Sequence, residues 1–573
     1  MMTDLLDIIL TKRGVTDPAH RAAFLNPDYV LHTHDPLKLK GAKKAAERII
    51  KAIRAGETLA VFSDYDADGI PGAVLFTDFL KRVKAANPDL TFQTLFYIPD
   101  RHEEGFGLSI DAIDELKAKG ANVIVTIDCG IADVEPVAHA KKLGIDLIIT
   151  DHHLPGPTLP DAYAIVNPKQ VDCEYPEKML CGSGVAFKLI QAILATDRLN
   201  IKEGQEKWLL DMVGIATLSD MVPLTGENRV FAKYGLQVMR KSPRIGFIRL
   251  LKETKVAQKY LSEDDIAFMI TPRINAASRM GSATDAFRLL STDDEIEAGA
   301  LAKRLQELND ERKGAVAAIT KEAKKKLAAK GRQVTGSEGE KSKVIVLGDP
   351  EWRPSLLGLV ANTLAEEYKC PVFLWGREGG DVIKGSCRSD GSVSVVDIMQ
   401  SVPEGTFIGS GGHHMAGGFS VNFDSVHTLE ATLEKAFETA ASKAVPLAAL
   451  ADAELSIEDV NDTTWRVVEQ VGPYGFGNPK PLFLFKRAVI KGARQFGKQM
   501  NHLELSFDNF SGRGVKAIAF FSSPEDFADN FKDAGYSIGN GLAVNLLAHV
   551  EKSYFMNRPE IRLRIVDILP LEA

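Results

Sequence analysis

The sequence predicts an α/β protein: a parallel sheet covered by helices, joined through a long helix to a second α/β unit, with a small β-barrel at the C-terminus. Three observations predict it. Short apolar runs alternate with helical patterns through residues 58–150, the spacing of βαβ units. A helical repeat runs unbroken over 293–330 and meets the linker-like string 331–339. Beyond residue 450 the texture changes to short alternating runs separated by Gly/Asn turns, as in a small barrel.

Taken in order, residues 1–40 carry Pro18, Pro27 and Pro36, which interrupt any long element. A Lys/Arg-rich helical pattern over 40–55 leads into a first strand at 58–63. Further strands are expected at 91–97, 122–127 and 146–150, with helices at 72–85, 109–119 and 134–143 between them. Helical patterns follow at 184–195 and 208–218. For the long helix, Thr292 with Glu295 forms a candidate capping box. Ile296, Leu301, Leu305, Leu308, Val316, Ile319, Ala323 and Leu327 keep helical spacing along it. A second α/β unit begins at 343–347 and ends near 444. Barrel strands are expected at 481–486, 502–507, 515–521, 542–550 and 561–568. The division that results is 1–40, 41–290, 291–340, 341–447 and 448–573, in keeping with 573 residues at about 150 per domain.

Composition narrows the class. Hydrophobic residues make up 45% and charged residues 25%, which excludes a disordered or fibrous chain. No apolar run approaches the roughly 18 residues of a spanning helix. The start, Met1-Met2-Thr3-Asp4-Leu5-Leu6-Asp7, is acidic where a signal peptide is basic. Cys129, Cys173, Cys181, Cys370 and Cys387 are scattered without a C-x-x-C pair, so neither a disulfide framework nor structural zinc is expected. A cytoplasmic protein is the expectation. The net charge of −8 and pI near 5.9 do not exclude a nucleic-acid partner, because binding depends on local basic patches.

The chemistry concentrates at strand ends. Asp64-Tyr65-Asp66-Ala67-Asp68-Gly69 follows the first strand. Three carboxylates at alternate positions repel unless cations neutralise them. Alone, such a string also suits a charged turn or the start of a calcium loop. Asp128-Cys129-Gly130 and Asp151-His152-His153 follow the third and fourth strands, and ligands of open parallel sheets lie beyond the carboxyl ends of the strands. One rim therefore collects carboxylates and imidazoles. Oxygen donors with one or two imidazoles suit Mn²⁺ or Mg²⁺ better than zinc. Asp220, in Leu218-Ser219-Asp220-Met221-Val222-Pro223-Leu224, can complete a two-metal site. Cys129 reads as a packed small residue rather than a nucleophile.

These four strings, in this order, resemble the motifs of the DHH phosphoesterase superfamily, and within it the RecJ-type single-strand-specific 5′→3′ exonucleases. Pro272-Arg273-Ile274-Asn275-Ala276-Ala277-Ser278-Arg279-Met280 and Leu308-Asn309-Asp310-Glu311-Arg312 resemble further segments of that family. Gly411-Gly412-His413-His414-Met415-Ala416-Gly417-Gly418 resembles the motif of the DHH-associated domain. Gly472-Pro473-Tyr474-Gly475-Phe476-Gly477-Asn478-Pro479 resembles the entrance to an OB-fold. The resemblance runs from about residue 40 to the end of the chain.

It implies a DHH catalytic domain at 41–290, a DHH-associated domain at 341–447 and an OB-fold at 448–573. It also implies two divalent cations, Mn²⁺ or Mg²⁺, held by Asp66, Asp68, Asp128, His152 and Asp220, with Asp128 as the bridge. His153 would face the scissile phosphate. Some relatives carry a His at the position of Phe62, which cannot ligate; Asp64 or water must then fill that place. Two ions together would activate a water and stabilise the departing oxygen, with no protein nucleophile. Arg101, Arg279, Ser386 and Arg388 would gather around a terminal 5′-phosphate, with Arg273, Asn275 and His413 also on the substrate side.

In the barrel, Lys486, Arg487, Lys491, Arg494, Lys498 and Arg513 alternate with Phe483, Phe485 and Phe496, a mixture suited to single strands. The implied activity is single-stranded-DNA hydrolysis from the 5′ end to mononucleotides, in DNA repair and recombination. The implied partners are single-stranded DNA, a single-strand-binding protein and a RecQ-type helicase, for a monomer. Two alternatives stand beside it: a phosphodiesterase for oligoribonucleotides or cyclic dinucleotides, and an inactive DNA-binding scaffold. Residues 450–573 argue against the first, and the intact acids against the second.

Overall fold

The computed structural model describes residues 2–331, 343–377, 382–412, 415–440, 451–497, 500–509, 512, 514–527, 531, 538–553 and 559–571. The chain divides into two compact units. One comprises residues 10–309 and 467–480; the other comprises 1–9, 310–466 and 481–573.

The first unit is built on five parallel strands: β1 (Thr58–Ser63), β2 (Gln93–Tyr97), β3 (Val123–Ile127), β4 (Asp146–Thr150) and β5 (Ala164–Val166). Their order is β2-β1-β3-β4-β5, and every pair is parallel. Successive side chains of a strand point to opposite faces, and the core divides accordingly. Leu59, Val61, Val123, Val125 and Ile127 pack with the helices Ala42–Ala55, Gly69–Ala86 and Gly182–Thr196. Ala60, Phe62, Ile124, Leu147 and Ile149 pack with Ile110–Ala118 and Val134–Lys142. Both faces are covered over β1, β3 and β4, which is why those strands are largely apolar, whereas the edge strand β2 is partly exposed.

The strand–helix alternation agrees with the expectation from sequence, and three details differ. The prolines near the N-terminus do not merely interrupt: Asp17 caps a helix Pro18–Leu25 whose first residue is a proline, a position where the missing N–H costs nothing. The strand β5 is new; three residues are too few to show a periodicity. Thr292 does not cap the long helix, which spans Glu295–Ala329. Asp294 takes that role, its carboxylate accepting the N–H groups of Ile296 and Glu297 at 2.7 and 3.1 Å. The Thr292 hydroxyl donates to Glu297 instead.

The second unit holds two sheets. Strands β6 (Ile345–Gly348), β7 (Val372–Arg377), β8 (Val382–Arg388), β9 (Gly409–Gly412) and β10 (Ala416–Asn422) lie in the order β6-β7-β8-β10-β9. Only β6 and β7 run parallel. The helix Pro354–Tyr368 covers one face, and Val395–Gln400 with Val426–Ala440 the other. The last sheet contains β11 (Ala453–Leu455), β12 (Phe483–Val489), β13 (Gly492–Phe496), β14 (His502–Asp508), β15 (Gly514–Ala519), β16 (Ala543–Ser553) and β17 (Glu560–Leu569), ordered β11-β12-β16-β17-β15-β14-β13. Register shifts at Phe485/Ala488 and Leu547/Ala548 bend its strands. Phe483 and Phe485 are buried and form its core. Among the described residues no helix is long and apolar enough to cross a membrane.

Candidate metal centre

The ends of β1, β3 and β4 and the C-terminus of the helix Leu210–Ser219 bring their polar residues together. Asp64, Asp66 and Asp128 form one group of donor atoms within 4.8 Å of one another; Asp68, His152 and Asp220 form a second; Asp128, His152 and His153 form a third. Asp128 and His152 each belong to two groups. The His152 Nε2 lies 3.2 Å from Asp128 Oδ1, 3.6 Å from Asp220 Oδ2 and 3.9 Å from Asp68 Oδ2.

Local structure explains how the acids come so close. Asp128 adopts φ +64, a left-handed conformation that Asp tolerates better than most residues. A side chain at Gly182 would strike the Asp128 Cβ at 2.5 Å, and one at Gly69 would strike the Asp64 carbonyl oxygen at 2.4 Å. Both positions therefore require glycine. The Asp68 carboxylate accepts the N–H groups of Gly182 (2.6 Å) and Ser183 (2.7 Å) at the N-terminus of the helix Gly182–Thr196, a site that favours an anion. Asp66 accepts from the N–H groups of Asp68 and Gly69 at 2.8 and 3.1 Å, which closes the loop around the acids.

The electrostatics are those of a site with an excess of negative charge. Burial, then the neighbouring acids, push the carboxyls of Asp64, Asp128 and Asp220 well above the usual range, and Asp68 up to about 6. Burial, reinforced by His153, pushes His152 down to about 3, so its imidazole is neutral and suited to ligation. Asp64 Oδ1, Asp128 Oδ1 and Asp220 Oδ2 are buried without a hydrogen-bond partner among the described residues. An unsatisfied buried acceptor costs about 1–3 kcal/mol. Carboxylate oxygens left open around one imidazole fit a pair of hard divalent cations.

Asp151 is turned away from that cluster. Its Oδ1 accepts the N–H groups of His152 (2.7 Å) and His153 (3.0 Å) and the His153 Nδ1–H (2.8 Å), and its Oδ2 accepts the Ile131 N–H at 2.9 Å. It orients both histidines, as outer-shell carboxylates of metal sites do. Burial works against the charged form of His153, but the bond and charge of Asp151 outweigh it and raise its pKa. Phe62 is buried on the opposite face, stacked on Tyr97 at 5.3 Å. Asp64 stands among the donors. Cys129 is buried, and burial raises its thiol far above neutrality, which makes it inert.

The substrate-side residues fall into three sets. The Arg101 guanidinium lies 4.8 Å over the Tyr65 ring, and its charge acts on Asp64. The charge of Arg279 acts on Tyr65. Arg273 is engaged elsewhere, donating to Gln306 Oε1 (2.9 Å) and the Met269 carbonyl (2.6 Å). Asn275 accepts the Ala67 N–H at 2.9 Å and so fixes the acidic loop. Ser386 and Arg388 lie on β8 in the second unit, two residues apart with the buried Cys387 between them. His413 lies outside the described residues.

Sequence reasoning missed two residues that follow β5. Asn167 donates to the His153 carbonyl at 2.9 Å. Lys169 puts positive charge beside Asp220, Asp151 and Asp128, and it draws the Asp220 carboxyl down against its burial. The string Asn167-Pro168-Lys169-Gln170 was the available signal, hidden because the strand before it is so short.

The comparisons with known proteins agree with this geometry. Residues 58–217 match the DHH family N-terminal domain, residues 341–441 the DHHA1 domain and residues 451–567 the RecJ OB domain. The chain is 35% identical to the single-stranded-DNA-specific exonuclease RecJ of Bacillus subtilis, over 99% of this chain and 68% of that protein. It is 33% identical to RecJ of Salmonella typhimurium, over 93% and 91%. The crystal structure of RecJ from Thermus thermophilus in complex with Mn²⁺ superposes with a TM-score of 0.76 at 29% identity, covering 99% of this chain and 76% of that one. Its complex with Mg²⁺ gives 0.71 at 27%, covering 99% and 75%. A rim of clustered acids and imidazoles, in a chain that carries these three domains in this order along nearly its whole length, leads to one conclusion: the chain belongs to the RecJ family of single-stranded-DNA-specific exonucleases.

Proposed function

We propose that the chain hydrolyses single-stranded DNA from its 5′ end and releases mononucleotides, with two divalent cations, Mn²⁺ or Mg²⁺, held by Asp64, Asp66, Asp68, Asp128, His152 and Asp220. The observation that carries this reading is the gathering of five carboxylates and a neutral imidazole in overlapping groups that share Asp128 and His152, with three buried carboxylate oxygens unpartnered among the described residues. When bound, such a pair of ions supplies an acidified water and neutralises the oxygen that departs. Asp128, common to two donor groups, is placed to be shared between the ions. His153, steadied by Asp151 through Nδ1, offers its other nitrogen to the scissile phosphate. Lys169 and Arg101 add positive charge beside the acids, where a phosphodiester would need it.

Arg101, Arg279, Ser386 and Arg388 are assigned to the terminal 5′-phosphate, Arg273, Asn275 and His413 to the substrate side, and residues 448–573 to the strand beyond it. Lys486 and Arg494 are paired on the surface with Glu454 and Glu504; exposed pairs of this kind are weak and yield to a phosphate backbone. The setting we infer is DNA repair and recombination in a bacterial cytoplasm, as a monomer, with a single-strand-binding protein and a RecQ-type helicase as partners. Digestion of 5′- and 3′-labelled DNA tests the proposal. Early release of the 5′ label as a mononucleotide from single strands with Mn²⁺, none with EDTA, and resistance of blunt duplex are expected. Early release of the 3′ label, or preferred turnover of a cyclic dinucleotide, overturns it.

A further inference from the structure

The acid Asp220 stands where a helix gives way to a loop. Its own N–H closes the last turn of the helix Leu210–Ser219 on the Ala216 carbonyl at 2.9 Å. The chain then kinks at Met221, with φ +56, and does not become helical again until Gly226. Across 221–225 the loop makes one backbone hydrogen bond to another segment among the described residues: the Leu224 N–H donates to the Phe476 carbonyl at 2.7 Å.

Phe476 sits at the tip of a tight turn. Gly475 and Asn478 exchange backbone hydrogen bonds of 3.0 and 3.1 Å around it. The turn meets the Asp220 loop so closely that an added Cβ would press on it. A Cβ at Gly475 would lie 2.8 Å from Leu224 Cδ1, and one at Gly477, where φ is +73, would lie 3.0 Å from Pro223 Cβ and 3.1 Å from its Cα. Two buried polar side chains hold the turn from behind. The Asn478 amide donates to the carbonyls of Val471 (3.0 Å) and Pro473 (2.8 Å), and its oxygen accepts from Arg13 Nε at 2.8 Å. Arg229, from the helix that follows the Asp220 loop, donates to the carbonyls of Val471 (2.8 Å), Gly472 (2.7 Å) and Phe24 (2.6 Å). A buried guanidinium bound only to carbonyls is costly. Here it joins the two segments that flank the loop and the turn.

We propose that the turn Gly475-Phe476-Gly477-Asn478, anchored by Asn478 and Arg229, is a positioning element of the metal centre: it fixes the 220–225 loop and so keeps Asp220 beside His152. The inference rests on the reading of Asp220 as a ligand, and the experiment separates the two. Full-length parent, Asp220→Asn, Gly477→Ala and Asn478→Ala are titrated with MnCl₂ alone by calorimetry, with melting temperatures recorded. Asp220→Asn should lose one Mn²⁺ equivalent. Gly477→Ala and Asn478→Ala should retain both but bind one of them about tenfold more weakly, the lower end of what supporting residues of metal sites contribute. Cleavage by these two variants should need correspondingly more Mn²⁺ and approach the parental kcat at saturation, a split that a purely structural defect would not give. Gly477 is on the exposed tip, so it decides alone should Asn478→Ala fail to fold. Folded Gly477→Ala with parental Mn²⁺ affinity, beside an Asp220→Asn that has lost its ion, overturns the positioning role and leaves the ligand reading intact. Parental Mn²⁺ binding by Asp220→Asn overturns the ligand reading, and the positioning role with it.

Discussion

Two buried clusters of charge share the helix Gly182–Thr196 and are built on opposite rules. At its N-terminus, Asp68 belongs to a group of acids whose pKa values are raised by burial and then by one another's charge, with oxygens left unpartnered among the described residues. In its middle, Lys188 is fully buried and every charge nearby is answered. Its Nζ donates to Glu227 at 3.0 Å and to the His34 carbonyl at 2.6 Å, while Tyr175 donates to the other Glu227 oxygen at 2.5 Å. Asp78 and Asp211 are likewise both paired with Arg244, with the charge of Arg82 beside them. A closed network holds a fold together. An open one of a single sign is a site that waits for a partner of the other sign. The difference lies in the satisfaction of the groups, since both clusters are buried.

The contrast breaks most visibly if the open cluster proves structural. Asp128→Asn keeps a residue that tolerates the left-handed backbone and removes one buried negative charge. Cleavage should fall by about a thousandfold or more, as expected when a group shared by both ions is lost. The metal-free variant should melt no lower than the parent. A large drop in melting temperature with activity retained would place Asp128 in the structural class. The closed cluster should behave in the opposite way. Lys188→Met leaves Glu227 buried without its countercharge, a change that costs about 3–5 kcal/mol. Urea denaturation should show that loss, while the fraction that remains folded cleaves DNA at the parental rate. Stability within 1 kcal/mol of the parent would show that the pair is dispensable.

A third measurement compares the two clusters through the metal itself. A ligand that binds only the folded state adds about 2.7 kcal/mol at a hundred times its Kd. Mn²⁺ at that level should raise the melting temperature of the parent and of Lys188→Met alike, and leave Asp128→Asn almost unmoved. Equal gains in all three variants would mean that Mn²⁺ binds somewhere other than the acidic rim.

The two rules also explain which parts of the molecule could be read from sequence. The open cluster was legible because its donors sit in compact strings directly after strands whose apolar runs are unmistakable, as with Asp64–Asp68 after β1. The closed network was not, because Lys188 and Glu227 are ordinary charged residues of helices, 39 positions apart, and only the packing of those helices brings them together. Lys169 and Asn167 escaped for a related reason: β5 has three residues, too short for any periodicity. The cap of the long helix was misplaced by two residues because Thr292 and Asp294 both satisfy the local pattern, and only the hydrogen bonds distinguish them. Arg273 adds a contact that no motif displays. Its motif suggested DNA, and only the structure shows that its guanidinium also ties Gln306 and the Met269 carbonyl together.

The same distinction between answered and unanswered charge applies to single arginines, and it yields the smallest effect and the most specific one. Arg244 is buried against Asp211 and Asp78, which together hold its pKa above the usual value despite burial. Arg388 is half-buried, but burial lowers its pKa and no carboxylate among the described residues counters that. One of its nitrogens donates to the Cys387 carbonyl at 2.7 Å. Another lies where a side chain at position 358 would meet it at 2.8 Å, so Gly358 keeps room for it. Ser386, two residues earlier on β8, shares its side of the strand. A half-buried cation with no carboxylate partner among the described residues, two positions from a serine hydroxyl on the same side of the strand, suits a dianionic terminal phosphate, the feature that distinguishes the 5′ end from every internal phosphodiester. Losing one charge-assisted contact costs about 1.5–3 kcal/mol, roughly ten- to a hundredfold in rate. Arg388→Ala should therefore slow single-turnover cleavage of 5′-phosphorylated DNA by that factor and change cleavage of 5′-hydroxyl DNA far less. Arg244→Ala, by contrast, should lower stability without discriminating between the ends. An equal penalty on both ends for Arg388→Ala would remove it from the end-reading role, which would then pass to Arg101 or Arg279.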